Sequence, residues 1–237
     1  MILAAGRGER MRPLSDTTPK PLLEVAGEPL IVRQIRALAR AGIRNIAINV
    51  SHLGEQIVEA VGDGRNYGVT IHWSRESEPL ETAGGIATAM PYLPTGPAII
   101  VSGDIWTAYD YASLLPVANR IAERAPHVHL VMVPNPRYHP RGDFALRDDG
   151  NATTLITRLP PSSLAQAFTY GNIGVYDTAL FRQMPRGVKL KLLPFLNEWI
   201  DGGRVTGEIY EGPWENVGTP AELAGLNAAL AREPNRT

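Results

Sequence analysis

The chain has 237 residues, 44% of them hydrophobic, a formal net charge of -1 and no cysteine. That length admits one large α/β domain or two small ones, the near-neutral balance argues against a nucleic-acid binder, and the lack of cysteine excludes thiol nucleophiles, thiolate metal sites and disulfides while fitting a reducing compartment. No charged-then-apolar leader opens the chain and no apolar run approaches the ~20 residues of a membrane span, so a cytoplasmic protein with no membrane partner is expected.

The opening Met1-Ile2-Leu3-Ala4-Ala5-Gly6-Arg7-Gly8-Glu9-Arg10-Met11 is an apolar strand running into a glycine loop, and Pro19-Lys20-Pro21 follows. Gly6 and Gly8 carry no side chain, so backbone N–H groups can approach phosphate oxygens closely. Arg7, Arg10, Arg12 and Lys20 supply charge, arginine as a fork onto two oxygens and lysine as a point. In a nearly neutral chain these cations are a local concentration, which favours a polyphosphate cradle over a basic surface turn. It is not a dinucleotide fingerprint, because Met11 stands at the third glycine position, nor a Walker A loop, which needs Gly-Lys followed by Ser or Thr. The strand begins abruptly at Met1, so a natural start a few residues upstream is an expectation.

Pro29 to Ala41 reads as an amphipathic helix, with Ile31, Ile35 and Leu38 on one face and Arg33, Arg36 and Arg40 opposite. Ile43 to Val50 reads as a strand, Leu53 to Val61 as a short helix closed by Gly62, and Val69 to Trp73 as a strand. The glycines near Gly84 open a short helix toward Met90. Pro97 to Ser102 is a buried strand ending at Gly103-Asp104. This alternation predicts a mostly parallel sheet with helices on both faces, whose ligands bind at the carboxyl ends of the strands. The glycine loop and Asp104 then share one edge of the sheet. Phosphoryl and nucleotidyl transfer need charge neutralisation, usually with a divalent metal, and Mg²⁺ is satisfied by one or two protein oxygens. Asp104 is the candidate ligand, the alternative being a helix or turn cap.

The second half is more mixed. His127 to Val133, Phe144 to Arg147, Thr153 to Thr157 and Phe168 to Tyr176 read as strands, Asn135 to Gly142 as a polar loop, and about Leu190 to Ile200 as a helix. Lys189 and Lys191 precede that helix, either as solvated cations or as charges that steer an acidic sugar. Trp214 to Gly218 is a strand and turn. Thr219-Pro220-Ala221-Glu222 is a capping box opening a helix to about Ala231, before a frayed tail over 233–237. The five histidines show no ligand spacing, and Trp73, Trp106 and Trp199 read as packing residues.

Leu3-Ala4-Ala5-Gly6-x-Gly8-x-Arg10-Met11, Pro19-Lys20-Pro21, Gly103-Asp104 and Trp214-x-Asn216-Val217-Gly218-Thr219 resemble the sugar-1-phosphate nucleotidyltransferases, in order and over essentially the whole chain. Within that family, Glu78-Pro79-Leu80-Glu81-Thr82 with Gly84-Gly85, and Asn135-Pro136 followed by Arg141-Gly142-Asp143-Phe144, are most similar to the branch that uridylylates N-acetylmuramic acid α-1-phosphate in peptidoglycan recycling. The resemblance implies a Rossmann-like, mostly parallel α/β nucleotidyltransferase sheet with a smaller α+β sugar-binding lobe. It implies a single domain over 1–237: a nucleotide lobe over 1–125, a sugar lobe over 126–212, and a metal turn with the last helix over 213–237. With no hexapeptide-repeat segment, one activity is expected.

Residue by residue, it implies a triphosphate loop of Gly6, Gly8, Glu9 and Arg10, with Arg10 on the β- and γ-phosphates. Lys20 would bridge the sugar phosphate and the α-phosphate, and Arg10 and Lys20 would be the catalytic cations. Glu76, Glu81 and Thr82 would face the nucleobase, where a carboxylate at Glu76 could accept from uracil N3–H. Asp104 and Asn216 would hold Mg²⁺. Many relatives have Asp where this chain has Asn216, so this metal site carries less negative charge. Gly142, Asp143, Thr169, Tyr170 and Asn172 would line the sugar site, and Asn172 departs from the muramate branch, where a small residue is usual. The expected reaction joins UTP and the muramic sugar 1-phosphate. The alternatives are glucose, mannose or N-acetylglucosamine 1-phosphate with UTP, dTTP or GTP, and a non-catalytic nucleotide-sensing subunit.

Overall fold

The computed structural model describes residues 1–123, 127–148, 154–158 and 166–232. Its elements in chain order are β1 (Ile2–Leu3), β2 (Glu24–Val25), β3 (Glu28–Pro29), α1 (Leu30–Arg40), β4 (Asn45–Val50), α2 (Gly54–Val61), β5 (Thr70–Arg75), α3 (Glu81–Ala89), β6 (Pro97–Ser102), β7 (Ile105–Thr107), α4 (Leu114–Ala122), β8 (Val128–Val133), β9 (Phe144–Asp148), β10 (Thr154–Arg158), β11 (Ala167–Asp177), α5 (Leu192–Asp201), β12 (Val205–Ile209), β13 (Trp214–Asn216) and α6 (Pro220–Arg232).

Nine strands form one sheet in the order β5-β4-β1-β6-β11-β8-β12-β10-β9. The first four are parallel, with Leu3 beside both Asn49 and Ser102. β11 enters antiparallel between β6 and β8, and β12 returns parallel to β8. The start of β11 also pairs with β9, so β8, β12, β10, β9 and β11 close a ring of pairings. The sheet is therefore parallel where the βα alternation is clean and mixed where it is not.

Side chains alternate between the two faces as strand geometry requires. Ile2, Ile46, Ile48, Ile99, Val101 and Val175 pack with α1, α2 and α4 through Ile35, Ile57 and Val117. Ala47, Ala98, Ile100, Leu130 and Tyr176 face the other way, onto Ile86 of α3 and Leu196 and Trp199 of α5. A third cluster joins Met11 and Trp106 to Leu226 and Leu230 of α6. Helices therefore cover both faces, as the alternation predicts.

Five elements escaped the sequence reading, the two-residue strands β2 and β3 among them. α4 carries Pro116 in its first turn, where proline is tolerated, and it buries Leu114, Val117 and Ile121. β12 is interrupted by Gly207, whose Cβ would lie 2.5 Å from Ile156 Cδ1 and 3.0 Å from the Leu130 carbonyl. The short β7 pairs antiparallel with β13. α3 begins at Glu81, so Gly84 and Gly85 lie inside it and do not open it. Thr153 and the expected tail over 233–237 fall outside the described residues.

Packing explains those helix glycines. A Cβ on Gly84 would stand 2.2 Å from the Val188 carbonyl oxygen and 3.0 Å from Leu190 N, and one on Gly85 would stand 2.7 Å from Asn49 Nδ2. Alanine is favoured over glycine in a helix by about 1 kcal/mol, but overpacking against backbone costs about 1–3 kcal/mol. Gly84→Ala should therefore lower stability in urea unfolding, and a gain near the helix-propensity value would show that no such close approach exists.

Candidate active site

Parallel register brings the ends of β1 and β6 together. Gly103 N–H donates to the Leu3 carbonyl at 2.8 Å. A Cβ on Gly103 would lie 3.1 Å from Ile2 Cγ2 and 3.1 Å from that carbonyl. The glycine loop leaves β1 at this point, and the backbone N–H groups of Gly6 to Glu9 find no acceptor among the described residues. Gly8 has φ +66 and stands over Lys20, whose Cβ would be 3.2 Å from a Cβ there. The Ser15 hydroxyl donates to the Gly8 carbonyl at 2.8 Å and holds the loop to the next turn.

Lys20 is buried, and its Nζ lies 2.5 Å from Asp104 Oδ2. A cavity of about 580 Å³ opens here, lined by Gly6, Gly8, Glu9, Arg10, Lys20, Glu81, Asp104 and Gly218 among others. β13 pairs with β7 in a register that sets Asn216 opposite Ile105, next to Asp104 in the chain. Asn216 Oδ1 is buried with no hydrogen-bond partner. A buried carbonyl oxygen without a donor costs about 1–3 kcal/mol, which a cation would recover. Asp104 and Asn216 thus offer two hard oxygen ligands of the kind Mg²⁺ accepts while it keeps several waters.

The arginine fork stands at the same edge. Gly218 lies close beneath it, where a Cβ would sit 3.1 Å from Arg10 Nη2 and 3.1 Å from Glu222 Oε2. Glu222 behaves almost as a capping box predicts. Its N–H donates to Thr219 Oγ1 at 3.2 Å, but its carboxylate accepts from Gly218 N–H at 2.8 Å, one residue further back than the usual partner. Only Arg10 and Lys20 of the four expected cations line this cavity. Arg7 is exposed outside it, and Arg12 pairs with Asp16 at 3.1 Å. Met11, just before Arg12, is fully buried in the cluster with Trp106.

A second cavity of about 650 Å³ adjoins the first and shares Leu3, Arg10 and Glu81 with it. Thr82, Tyr138, His139, Asp143, Thr169, Tyr170, Asn172, Lys191, Leu193 and Asn216 are among its lining. Asp143 accepts from Tyr170 N–H at 2.8 Å on Oδ2, and its Oδ1 lies 3.1 Å from His139 Nε2. The Thr169 hydroxyl donates to Asn135 Oδ1 at 2.9 Å. Burial, then the nearby Glu215 and Glu222 carboxylates, push the Tyr138 phenol up to about 12.

Two of the four non-glycine residues with positive φ among the described residues line these cavities: Glu81 at φ 61 and Asn172 at φ 57. Left-handed backbone costs of order 1–3 kcal/mol outside glycine and gathers at working sites. Asn172 sits in the irregular stretch between Tyr170 and Gly174, where β11 slips against β8. Asparagine tolerates that conformation better than most residues.

Two expected site residues lie elsewhere. Glu76 lines neither cavity and instead borders a separate pocket beside Val50, Glu55 and Arg75. It is buried, with Oε1 accepting from Asn49 Nδ2 at 2.7 Å and Oε2 from Leu80 N–H at 3.0 Å. Asn49 Oδ1 in turn accepts from Ala4 N–H at 2.9 Å. Gly142 also lines neither cavity. It has φ +63 and packs where a Cβ would lie 2.6 Å from Asn135 Oδ1. Conversely, Tyr138, His139 and Leu193 line the larger cavity without having been assigned to it, and Lys191, read either as a solvated cation or as a charge steering an acidic sugar, lines it too. The spacing of His139 and Asp143, four residues apart in a polar loop, was the signal available for His139.

The sequence model of the nucleotidyl transferase family matches residues 1–233. The chain is 43% identical over 229 residues to an N-acetylmuramate alpha-1-phosphate uridylyltransferase of Neisseria meningitidis serogroup B, covering 96% of each chain. It is 31% identical to an enzyme of the same name from Caulobacter vibrioides, covering 98% of this chain and 96% of that one. A mannose-1-phosphate guanylyltransferase of Mycobacterium tuberculosis is 28% identical, with 64% of its length covered. Among solved structures, a putative glucose-1-phosphate thymidylyltransferase from Bacillus anthracis superposes with a TM-score of 0.78 at 20% identity, covering 96% of this chain and 93% of that one, a likeness of fold.

The Glu76 network makes its own prediction. Ala4 fixes the Asn49 amide with its NH₂ toward Glu76, so a glutamine there cannot accept from both Asn49 and Leu80. Glu76→Gln should therefore cost about 1–3 kcal/mol in urea unfolding although it removes a buried charge. Burial raises the Glu76 pKa above its ordinary value. The folded chain then binds that proton more readily than the unfolded chain, and this group's contribution falls as pH rises through the carboxylate range. The wild-type margin over the variant should narrow as pH rises upward from the ordinary carboxylate range; a widening margin would contradict this environment.

Proposed function

The chain belongs to the nucleotidyl transferase family, and on that premise we propose that it transfers UMP from UTP to N-acetylmuramic acid α-1-phosphate, releasing pyrophosphate, in the cytoplasm and in peptidoglycan recycling. One observation carries the chemistry: beyond the ends of β1 and β6 a buried lysine–aspartate pair meets a free loop of N–H groups, and β13, whose next residue Val217 donates its N–H to the Asp104 carbonyl, carries a buried asparagine oxygen that has no partner. The substrates are carried over from the relatives of matching length, whose printed names specify them.

In this reading the triphosphate lies over Gly6, Gly8 and Glu9, with Arg10 forked onto its outer phosphates. The muramic sugar occupies the larger cavity, among Asp143, Thr169, Tyr170 and Asn172. The division into a nucleotide lobe, a sugar lobe and a metal turn follows the same assignment. Glu81 stands at the boundary of the two cavities and Thr82 beside it, where both approach the joined product. Asp104 and Asn216 would hold Mg²⁺, which when bound supplies charge neutralisation to the phosphates.

A sugar-phosphate oxygen attacks the α-phosphorus of UTP in line. The new P–O bond forms as the bond from the α-phosphorus to the bridging oxygen breaks, and the electron pair leaves with pyrophosphate. No covalent enzyme intermediate is needed. Lys20 stabilises charge on the oxygens between the two substrates, Arg10 does so at the leaving group, and the cavity walls hold the reactants in line.

Pyrophosphate release from UTP and Mg²⁺ tests the reading directly. Preferred turnover of N-acetylmuramic acid 1-phosphate over N-acetylglucosamine and glucose 1-phosphates is expected, and preference for another sugar would retain the chemistry and discard the substrate. Lys20→Ala should lower kcat/KM by about 10²–10³-fold; a loss under about tenfold, ~1.4 kcal/mol, would remove Lys20 from the chemistry. Asn216→Asp should reduce the Mg²⁺ concentration for half-maximal rate, because it adds a charge to the ligand pair. An unchanged or higher requirement would place the metal elsewhere.

A further inference from the structure

Lys191 is the one lysine that lines the larger cavity, and no carboxylate among the described residues pairs with it. Arg10, the other strong cation of that cavity, is shared with the phosphate cavity, whereas Lys191 is not. The carboxylates on the walls are placed elsewhere. Asp143 is held by Tyr170 N–H and His139, and Glu81 lies at the boundary with the phosphate cavity. Two residues beyond Lys191, Leu193 is 55% exposed and lines the same cavity. A long cation without a counter-charge beside an uncovered leucine suits a short acid that also carries a methyl group.

The segment bearing this pair is stitched down. Leu190 N–H donates to the Leu80 carbonyl at 3.0 Å, and the Leu190 carbonyl accepts from Ala83 N–H at 3.0 Å and from Gly84 N–H at 3.1 Å. Gly187 N–H donates to Thr88 Oγ1 at 2.9 Å. Gly84 permits this approach, since a Cβ there would meet the Val188 carbonyl at 2.2 Å. Lys191 then takes an extended conformation at the start of α5, and its side chain forms part of the cavity wall with no ion pair among the described residues.

We propose that Lys191 and Leu193 read the lactyl ether of the sugar, the ammonium pairing with its carboxylate and the leucine packing its methyl group; this rests on the muramic sugar being the substrate. Lys191 is then a specificity residue that takes no part in the phosphorus chemistry. N-acetylglucosamine 1-phosphate has the same ring without the lactyl group, so it isolates the effect.

The test is steady-state pyrophosphate release by the wild type, Lys191→Met and Lys191→Arg with both sugars, and with the muramic sugar converted to its neutral lactyl amide. The wild type is measured first. If it does not prefer the muramic sugar, the substrate reading fails and this proposal falls with it. If it does, Lys191→Met should raise KM for the muramic sugar about tenfold, the worth of one charge-assisted hydrogen bond, with little change in kcat. Its kcat/KM for N-acetylglucosamine 1-phosphate and for the lactyl amide should match wild type, and Lys191→Arg should recover most of the loss. Equal loss on all three sugars, or no loss on any, would overturn the role of Lys191 while leaving the substrate assignment intact.

Discussion

A buried carboxylate organises this site without touching it. Glu76 accepts from Asn49 and from Leu80, and Asn49 accepts from Ala4. Through these bonds the root of the glycine loop, the end of β4, the segment after β5 and the start of α3 are fixed to one another. Two acceptors on one side chain satisfy the donors of two separate segments, which suits a carboxylate and defeats an amide. The ionised oxygens strengthen each bond, which offsets part of the cost of burying the charge. The position of Glu81 at the boundary of the two cavities follows from this, since it lies just beyond the Leu80 amide that Glu76 holds.

Close backbone approach is the second constraint. Gly103 brings the end of β6 against β1, Gly8 lets the loop lie over Lys20, Gly218 makes room for the Arg10 guanidinium, and Gly84 seats the segment before α5. At Gly84 a Cβ would collide with backbone at 2.2 Å, and at the other three it would make a tight contact of 3.1–3.2 Å. The chain accepts weaker local propensity, including two glycines inside α3, in exchange for tight registration of elements that arrive from distant parts of the sequence. The same logic applies to the strained backbone at Glu81 and Asn172. Their conformations are unfavourable alone and are held by the surrounding hydrogen bonds and sheet pairing.

The electrostatics divide along the same geometry. The smaller cavity concentrates Arg10, Lys20 and unpaired N–H groups against Asp104, with the unsatisfied Asn216 oxygen among the residues of the adjoining cavity, so it suits a polyanion with a cation. The larger cavity is lined with hydroxyls, aromatic rings and leucines, with Lys191 as a separate positive charge. Two regions of different polarity that meet at Glu81 and Arg10 fit a reaction joining a nucleotide to a polar sugar. β11 joins the two regions mechanically, because it pairs with β6 on one side and with β8 and β9 on the other.

Local chemistry made much of this legible in advance. The glycine loop after an apolar strand, the alternation of strands and helices, and Asp104 after a buried strand follow from residue types at short spacing, and parallel strands put both features on one edge. Arg10, Lys20, Asp104, Asn216, Asp143, Thr169 and Asn172, which the resemblance to the sugar-1-phosphate nucleotidyltransferases singled out, all line the two cavities. Other features depend on contacts between residues far apart in the chain. Glu76 looked like a ligand-facing carboxylate until Asn49 and Leu80 were seen to occupy both its oxygens. Gly84 and Gly85 looked like a helix start until Val188 and Asn49 were seen to fill the space beside them. Likewise α4 and β12 hide behind a proline and a glycine that only their neighbours explain. Spacing along the chain determined the elements and the phosphate-binding edge. Tertiary structure alone decided which polar atoms were already satisfied, because a hydrogen bond between residues 27 or 45 positions apart leaves no periodic trace in the sequence.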